Sequence, residues 1–181
     1  RSDGEHLLVG GRDVGRYLNT RIEVAQKQEH KYKGLEESIS HLSGMLILIK
    51  GSIFKQVELL DERFFFSGEI ADFCQRILHA GYRMAVDPSL VVVHDTTLGE
   101  PWTRKVLYRY YSLRNRFLYI AEHHAADRLR LRLLWTLRGL RQGLGQLWLG
   151  DLGGARSVAI AIWHGNLGIW GDQNNRFING N

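Results

Sequence analysis

DERFFFSGEIADFCQRILHAGYRMAVDPSLVVVH, residues Asp61 to His94, carries the densest run of structural signals in the chain. Three rings, Phe64 to Phe66, run into a Ser67-Gly68 break, and Glu69 follows at once. Ile70, Phe73, Ile77 and Ala80 then recur at intervals of three and four, which predicts a helix with one apolar face. Gly81 stands where that helix stops, because a left-handed residue costs glycine little. Beyond it lie a β-type run, Tyr82 to Val86, a Pro88-Ser89 turn, and the β-branched run Leu90 to Val93 that ends in His94. Glu69 has two open readings at this point. It is a helix-start acid favoured by unpaired N–H groups and the dipole, or it is a working carboxylate at a cleft. Asp72 falls on a different side from the apolar stripe and has Arg76 four residues on as an ion-pair partner.

Working towards the N-terminus, Gly51 to Leu60 reads as a short helix. HLSGMLILIK, His41 to Lys50, reads as the clearest strand, and its continuous apolar run predicts burial on both faces. Gly44 inside it marks a close approach by a ligand or another backbone, or relief of crowding. Asp13 to Ser40 shows no steady period and reads as a long surface excursion. Leu7 to Val9 forms a short strand before Gly10-Gly11, and Ser2-Asp3-Gly4 is a turn.

Working towards the C-terminus, Trp102 to His123 is a basic, aromatic helix with Trp102, Val106, Tyr110, Leu113, Phe117 and Ile120 on one face. Asp127 to Leu149 places Leu129, Leu133, Leu137, Leu140, Leu144 and Leu147 on one narrow face, with Arg130 and Arg141 flanking it. Arginine, leucine and tryptophan in this pattern describe a helix lying on an anionic membrane surface, or one packed on its own domain. Gly139, Gly143 and Gly145 weaken that helix. Gly154 to Trp163 is a further short helix before a Gly/Asn-rich tail.

The 181 residues suit one domain with a real core, and 44% hydrophobic with 24% charged residues is a globular composition. A formal net charge of +5 favours anionic partners. No nucleic-acid motif accompanies that charge, so nucleic acid is not an expected partner. The single cysteine, Cys74, precludes an internal disulfide. No secretory leader is visible and no apolar run reaches the ~20 residues of a membrane span. The expected location is therefore cytoplasmic, at the inner face of the cell membrane.

One ordered set of motifs resembles a known family. Ser43-Gly44, Asp61-Glu62-Arg63-Phe64-Phe65, Gly68-Glu69-x-x-Asp72-Phe73-Cys74-x-Arg76, Ala80-Gly81-Tyr82, Pro88 and His94 follow one another as in the C-terminal half of inverting family-2 glycosyltransferases. The likeness is to rhamnosyltransferase-like members and runs from about Gly10 to about Asn115. It implies an α/β fold: the C-terminal part of a GT-A (Rossmann-like) domain, followed by C-terminal amphipathic helices. Residues 1–100 would be the acceptor-side part of the catalytic domain and 101–181 the basic and amphipathic helices. The donor half, with its Asp-x-Asp metal motif, would lie upstream of Arg1.

The resemblance also assigns roles. Family members carry Glu-Asp where this chain has Glu69-Ile70, and the missing Asp is their catalytic base. Glu69, Asp72, or neither takes that role here; reach favours Glu69. Ser43, Gly44, Asp61 and Glu62 would border the substrates, with Gly10-Gly11-Arg12 in a nearby loop. Arg114, in the pair Arg114-Asn115, would approach a phosphate or sit on a solvated basic face. His94 would complete the shell of a divalent ion, Mn²⁺ in preference to Mg²⁺ because imidazole is a ligand. The expected function is sugar transfer with inversion, from a nucleotide-sugar donor to a saccharide or lipid-linked acceptor in cell-surface polysaccharide synthesis, with this chain inactive by itself. The alternative is a catalytically degenerate relative acting as a membrane- or partner-binding module.

Overall fold

The computed structural model describes residues 6–12, 20–25, 39–42, 44, 46–85 and 102–178. These fall into two units: residues 1–60 with 70–98, and residues 61–69 with 99–181.

The first unit holds a small sheet. β1 (His6–Arg12) pairs antiparallel with β2 (Thr20–Ala25) and with β3 (His41–Leu42), in the order β2-β1-β3. An irregularity between Leu8 and Gly10 shifts the β1–β2 register, and the bulge bends the strand. The parallel Rossmann-like sheet expected of a GT-A domain is therefore overturned: every described pairing is antiparallel, and most described residues are helical. The strand expected over His41–Lys50 shrinks to two residues. Gly44 is in a turn, and Leu48 is 98% exposed instead of buried on both faces. A doubly buried strand needs a neighbour on each edge and a layer on each face, and β3 has only β1 beside it among the described residues. β2 was hidden within the supposed excursion because only Ile22 and Val24 mark its alternation.

A 3-10 turn (Gly51–Ile53) leads into α1 (Phe54–Val57). α2 (Glu69–His79) ends as its sequence demands. Gly81 has φ +82°, its N–H donates to Leu78 O, and the Tyr82 N–H donates to Ile77 O, a paired closure that satisfies the last carbonyls. Val57, Phe73, Cys74, Ile77 and Met84 form the core of this unit. Ala80 is exposed, so the buried face is rotated from the expected one and takes in Asp72. Residues 82–85 form no strand. The expected turn at Pro88, the run Leu90 to Val93 and His94 lie outside the described residues.

The second unit is built on three long helices, α3 (Trp102–His123), α4 (Arg128–Trp148) and α5 (Leu152–Leu167), with a one-turn α6 (Asn175–Ile178). The expected α3 face is buried at Val106, Tyr110, Leu113, Phe117 and Ile120. Asp151 caps α5 by accepting from the Gly154 N–H at 2.7 Å, and its other oxygen takes Arg109 at 3.0 Å. The glycines of α4 and α5 are where helices approach. A Cβ at Gly139 would meet Ile162 at 2.9 Å, one at Gly143 would meet Val158 at 3.4 Å, and one at Gly165 would meet the Phe117 ring at 2.4 Å. Two of the three glycines that weaken α4 in sequence are thus repaid in packing.

Candidate functional site

The loop that precedes Glu69 has a strained backbone that hydrogen bonds hold in place. Phe65 and Ser67 have φ +59° and +70°, and Gly68 has φ +100°. A left-handed conformation at a non-glycine residue costs roughly 1–3 kcal/mol and persists only where the surroundings enforce it. Arg114 and Asn115, both buried on α3, do the enforcing. The Asn115 amide donates to the carbonyls of Phe64 at 2.8 Å, Phe66 at 2.9 Å and Ser67. Arg114 donates to Gly171 O at 2.6 Å, Arg63 O at 3.1 Å, Phe64 O at 3.0 Å and Asn115 Oδ1 at 2.8 Å. Its guanidinium carbon also lies 4.8 Å from the Tyr111 ring centroid and 5.4 Å from that of Tyr110. Burial pulls the Arg114 value below the ordinary arginine range, with Tyr110 opposing.

The residues expected around a transfer site have these placements. Glu69 opens α2 half-buried, and its Oε2 is buried with no hydrogen-bond partner. Asp72 is buried in α2 and paired with Arg76 at 2.9 Å, while Arg76 also donates to Val57 O and to Leu59 O. Asp61 receives Arg63 at 2.7 Å, and Arg63 also reaches Glu122 at 2.9 Å. Glu62 is exposed, as is Gly44, whose added Cβ would meet Ile70 at 3.2 Å. Ser43 and His94 lie outside the described residues. Asp61 and Arg114 belong to one network through Arg63, whose side chain takes Asp61 and whose carbonyl accepts from Arg114. The divalent metal, Mn²⁺ or Mg²⁺, is not fitted by this set: among the described residues no three His, Cys, Asp or Glu side chains group to hold an ion.

The burial of Arg114 and Asn115 was missed because arginine on a helix reads as solvated. A signal was present: Tyr111 and Leu118 flank the pair one turn to either side and make a second apolar row on α3.

The other distinctive surface is on α4. Leu131 and Gly139 are buried on its inner side, where Trp135 stacks between Arg116 at 4.2 Å and Arg138 at 4.9 Å. Arg132 donates to Asn166 O at 2.6 Å. The leucine row expected from sequence points the other way. Leu129, Leu133, Leu137, Leu140, Leu144 and Leu147 are all exposed, and Trp148, at 90%, continues the row. At 3.6 residues per turn the leucines span an arc of about 80°. Arg130 and Arg141 border that arc, both exposed, and no acid occurs within α4. Leu149 and Leu152, beyond the end of α4, are also exposed.

Comparison with known proteins adds a distant likeness. The chain is 30% identical over 119 residues to an N-acetylglucosaminyl-diphospho-decaprenol L-rhamnosyltransferase of Mycobacterium tuberculosis, covering 64% of this chain and 37% of that protein. It is 29% identical over 106 residues to a pre-mycofactocin glycosyltransferase of the same organism, covering 56% of this chain and 22% of that protein. The likeness is distant and partial. No family model and no solved structure matches the chain.

Three expectations are corrected by these findings. Identification as the C-terminal half of a GT-A family-2 enzyme gives way to a partial similarity carried on a mostly helical structure with an antiparallel sheet. The expected part in metal-dependent sugar transfer gives way to a helical unit with no grouped metal ligands among the described residues. The expectation of a membrane-associated enzyme gains no support from a span: no described helix is long and apolar enough to cross a membrane.

Proposed function

We propose that this chain is a catalytically degenerate relative of the glycosyltransferases it resembles, and that its helical unit is a binding module which docks peripherally on an anionic membrane surface through α4. The observation that carries this reading is the exposed leucine row. α4 is anchored to α5 by one face, yet the opposite face leaves six leucines in solvent. Contiguous exposed apolar surface of this kind marks an interaction site. Two features favour lipid over a partner helix. Exposed leucines continue past the end of α4 at Leu149 and Leu152, where a straight helical seam would end. Arg141 gives the rim a basic group with no acid within α4, while Arg130 is paired with Asp127 at 3.3 Å, and Trp148 suits the boundary between apolar and polar layers.

In this reading two of the four acids of the expected site, and its arginine, have structural work. Asp72 anchors Arg76, Asp61 anchors Arg63, and Arg114 holds the strained loop. The lipid in the name of the rhamnosyltransferase relative, a decaprenol, agrees with a chain that works at a membrane surface. Flotation with vesicles tests the proposal. Vesicles containing phosphatidylglycerol should carry the chain to the top of a density gradient, and raising salt should weaken binding without abolishing it. A chain that stays at the bottom with both anionic and neutral vesicles contradicts the proposal.

A further inference from the structure

Gly145 has no packing reason to be glycine. Its two companions in α4 admit Ile162 and Val158, but a Cβ at Gly145 would meet nothing within 4 Å among the described residues. Glycine within a helix is destabilising relative to alanine, so the position weakens α4 with no close neighbour to explain it. The neighbours three and four residues away, Arg141, Gln142, Trp148 and Leu149, rise around the bare backbone. Together with Arg138 and Gln146 they line a groove of about 460 Å³ that contains no acid. Arg141 makes no hydrogen bond or ion pair with any described residue, and it lies at the border between this groove and the leucine row.

We infer that this groove is a phosphate site, which takes the phosphate of an anionic phospholipid headgroup while the adjacent leucine row lies against the acyl region. The inference rests on the docking reading above and deepens it. A guanidinium fork matches phosphate oxygens in paired, charge-assisted bonds. Gln142 and Gln146 add neutral amide donors, and Trp148 closes the side towards the apolar row. The missing side chain at Gly145 is what lets a phosphate approach the helix between these groups.

The test uses the full chain and three variants on vesicles that are neutral, that contain phosphatidylglycerol, or that contain phosphatidic acid, with inorganic phosphate as a separate soluble probe. Leu137→Asp reports on docking as such. Arg141→Gln should weaken binding to both anionic vesicles about fivefold, the equivalent of ~1 kcal/mol. Gly145→Leu decides the matter. It adds apolar surface and helix propensity, so a purely hydrophobic contact would strengthen, whereas a filled groove should bind both anionic vesicles at least about fivefold more weakly. Wild-type binding to anionic vesicles with Gly145→Leu unimpaired overturns the phosphate site and leaves the docking reading standing. No vesicle binding, but inorganic phosphate shifting the Trp148 indole resonance in wild type and not in Gly145→Leu, keeps the site with a soluble phosphate as its source and contradicts docking. Silence in both arms overturns both.

Discussion

Replacing Asn115 by alanine should unfasten the loop before α2. The side chain donates to three carbonyls, those of Phe64, Phe66 and Ser67, and accepts from Arg114 Nε at 2.8 Å. A typical net contribution is about 1 kcal/mol per bond, and an amide with two protons cannot serve three acceptors at full strength. A loss of about 3 kcal/mol follows, because relaxation of Phe65 and Ser67 towards ordinary φ values recovers part of what the bonds provided. The assay is urea unfolding followed by circular dichroism, comparing midpoints at unchanged slope. Asn115→Asp sharpens the test, since it preserves shape and strengthens the contact with Arg114 but removes both donors and sets a carboxylate against the loop carbonyls. It should be at least as destabilising as Asn115→Ala. Stability within about 0.5 kcal/mol of wild type for either variant would refute the clasp, that being the ordinary range for uncoupled surface changes.

Gly165→Ala should destabilise by about 1–3 kcal/mol through overpacking, since its new methyl meets the fully buried Phe117 ring; a urea midpoint equal to wild type would contradict this. His164 should make the helical unit acid-sensitive. It is fully buried, its Nδ1 lies 2.6 Å from the Tyr110 hydroxyl, and burial holds its value below the ordinary 6.5, with Arg176 and Arg114 adding to the effect. The unfolded chain therefore takes up the proton first, so stability should fall as pH drops below about 6.5 and level off once the folded form is protonated too. His164→Asn should flatten that slope relative to wild type in urea melts between pH 7.5 and 5, and an identical slope would remove His164 from the effect.

Where the apolar period was strong, the sequence was sufficient. α3 occupies Trp102–His123 as its spacing predicts, α2 stops at Gly81 through the expected left-handed closure, and the leucine row of α4 lies on one face. The failures share a cause: pairing partners and burial depend on what lies opposite, which no local pattern encodes. HLSGMLILIK is as apolar as a central strand, yet β3 extends over only two residues. Arg114 reads as solvent-facing by type, and although Tyr111 and Leu118 mark its side of α3 as apolar, the carbonyls of residues 63 and 64 that give it a buried role lie about fifty residues away in sequence. The comparisons give a distant, partial similarity to glycosyltransferases, but such a similarity does not carry a fold with it, and the described sheet is antiparallel.

The account stands most directly on the affinity of the outer face of α4 for lipid. Leu137 and Leu144 are exposed, so Leu137→Asp and Leu144→Asp should leave the urea midpoint near that of wild type. On vesicles each loses roughly 1 kcal/mol of apolar burial and sets a negative charge against an anionic surface for about another, a fall of roughly thirtyfold in partitioning. Titrating phosphatidylglycerol vesicles against wild type and both variants is the decisive measurement. Saturable binding by wild type, with each aspartate variant at least tenfold weaker, is the predicted result; wild type and variants partitioning alike would contradict the account.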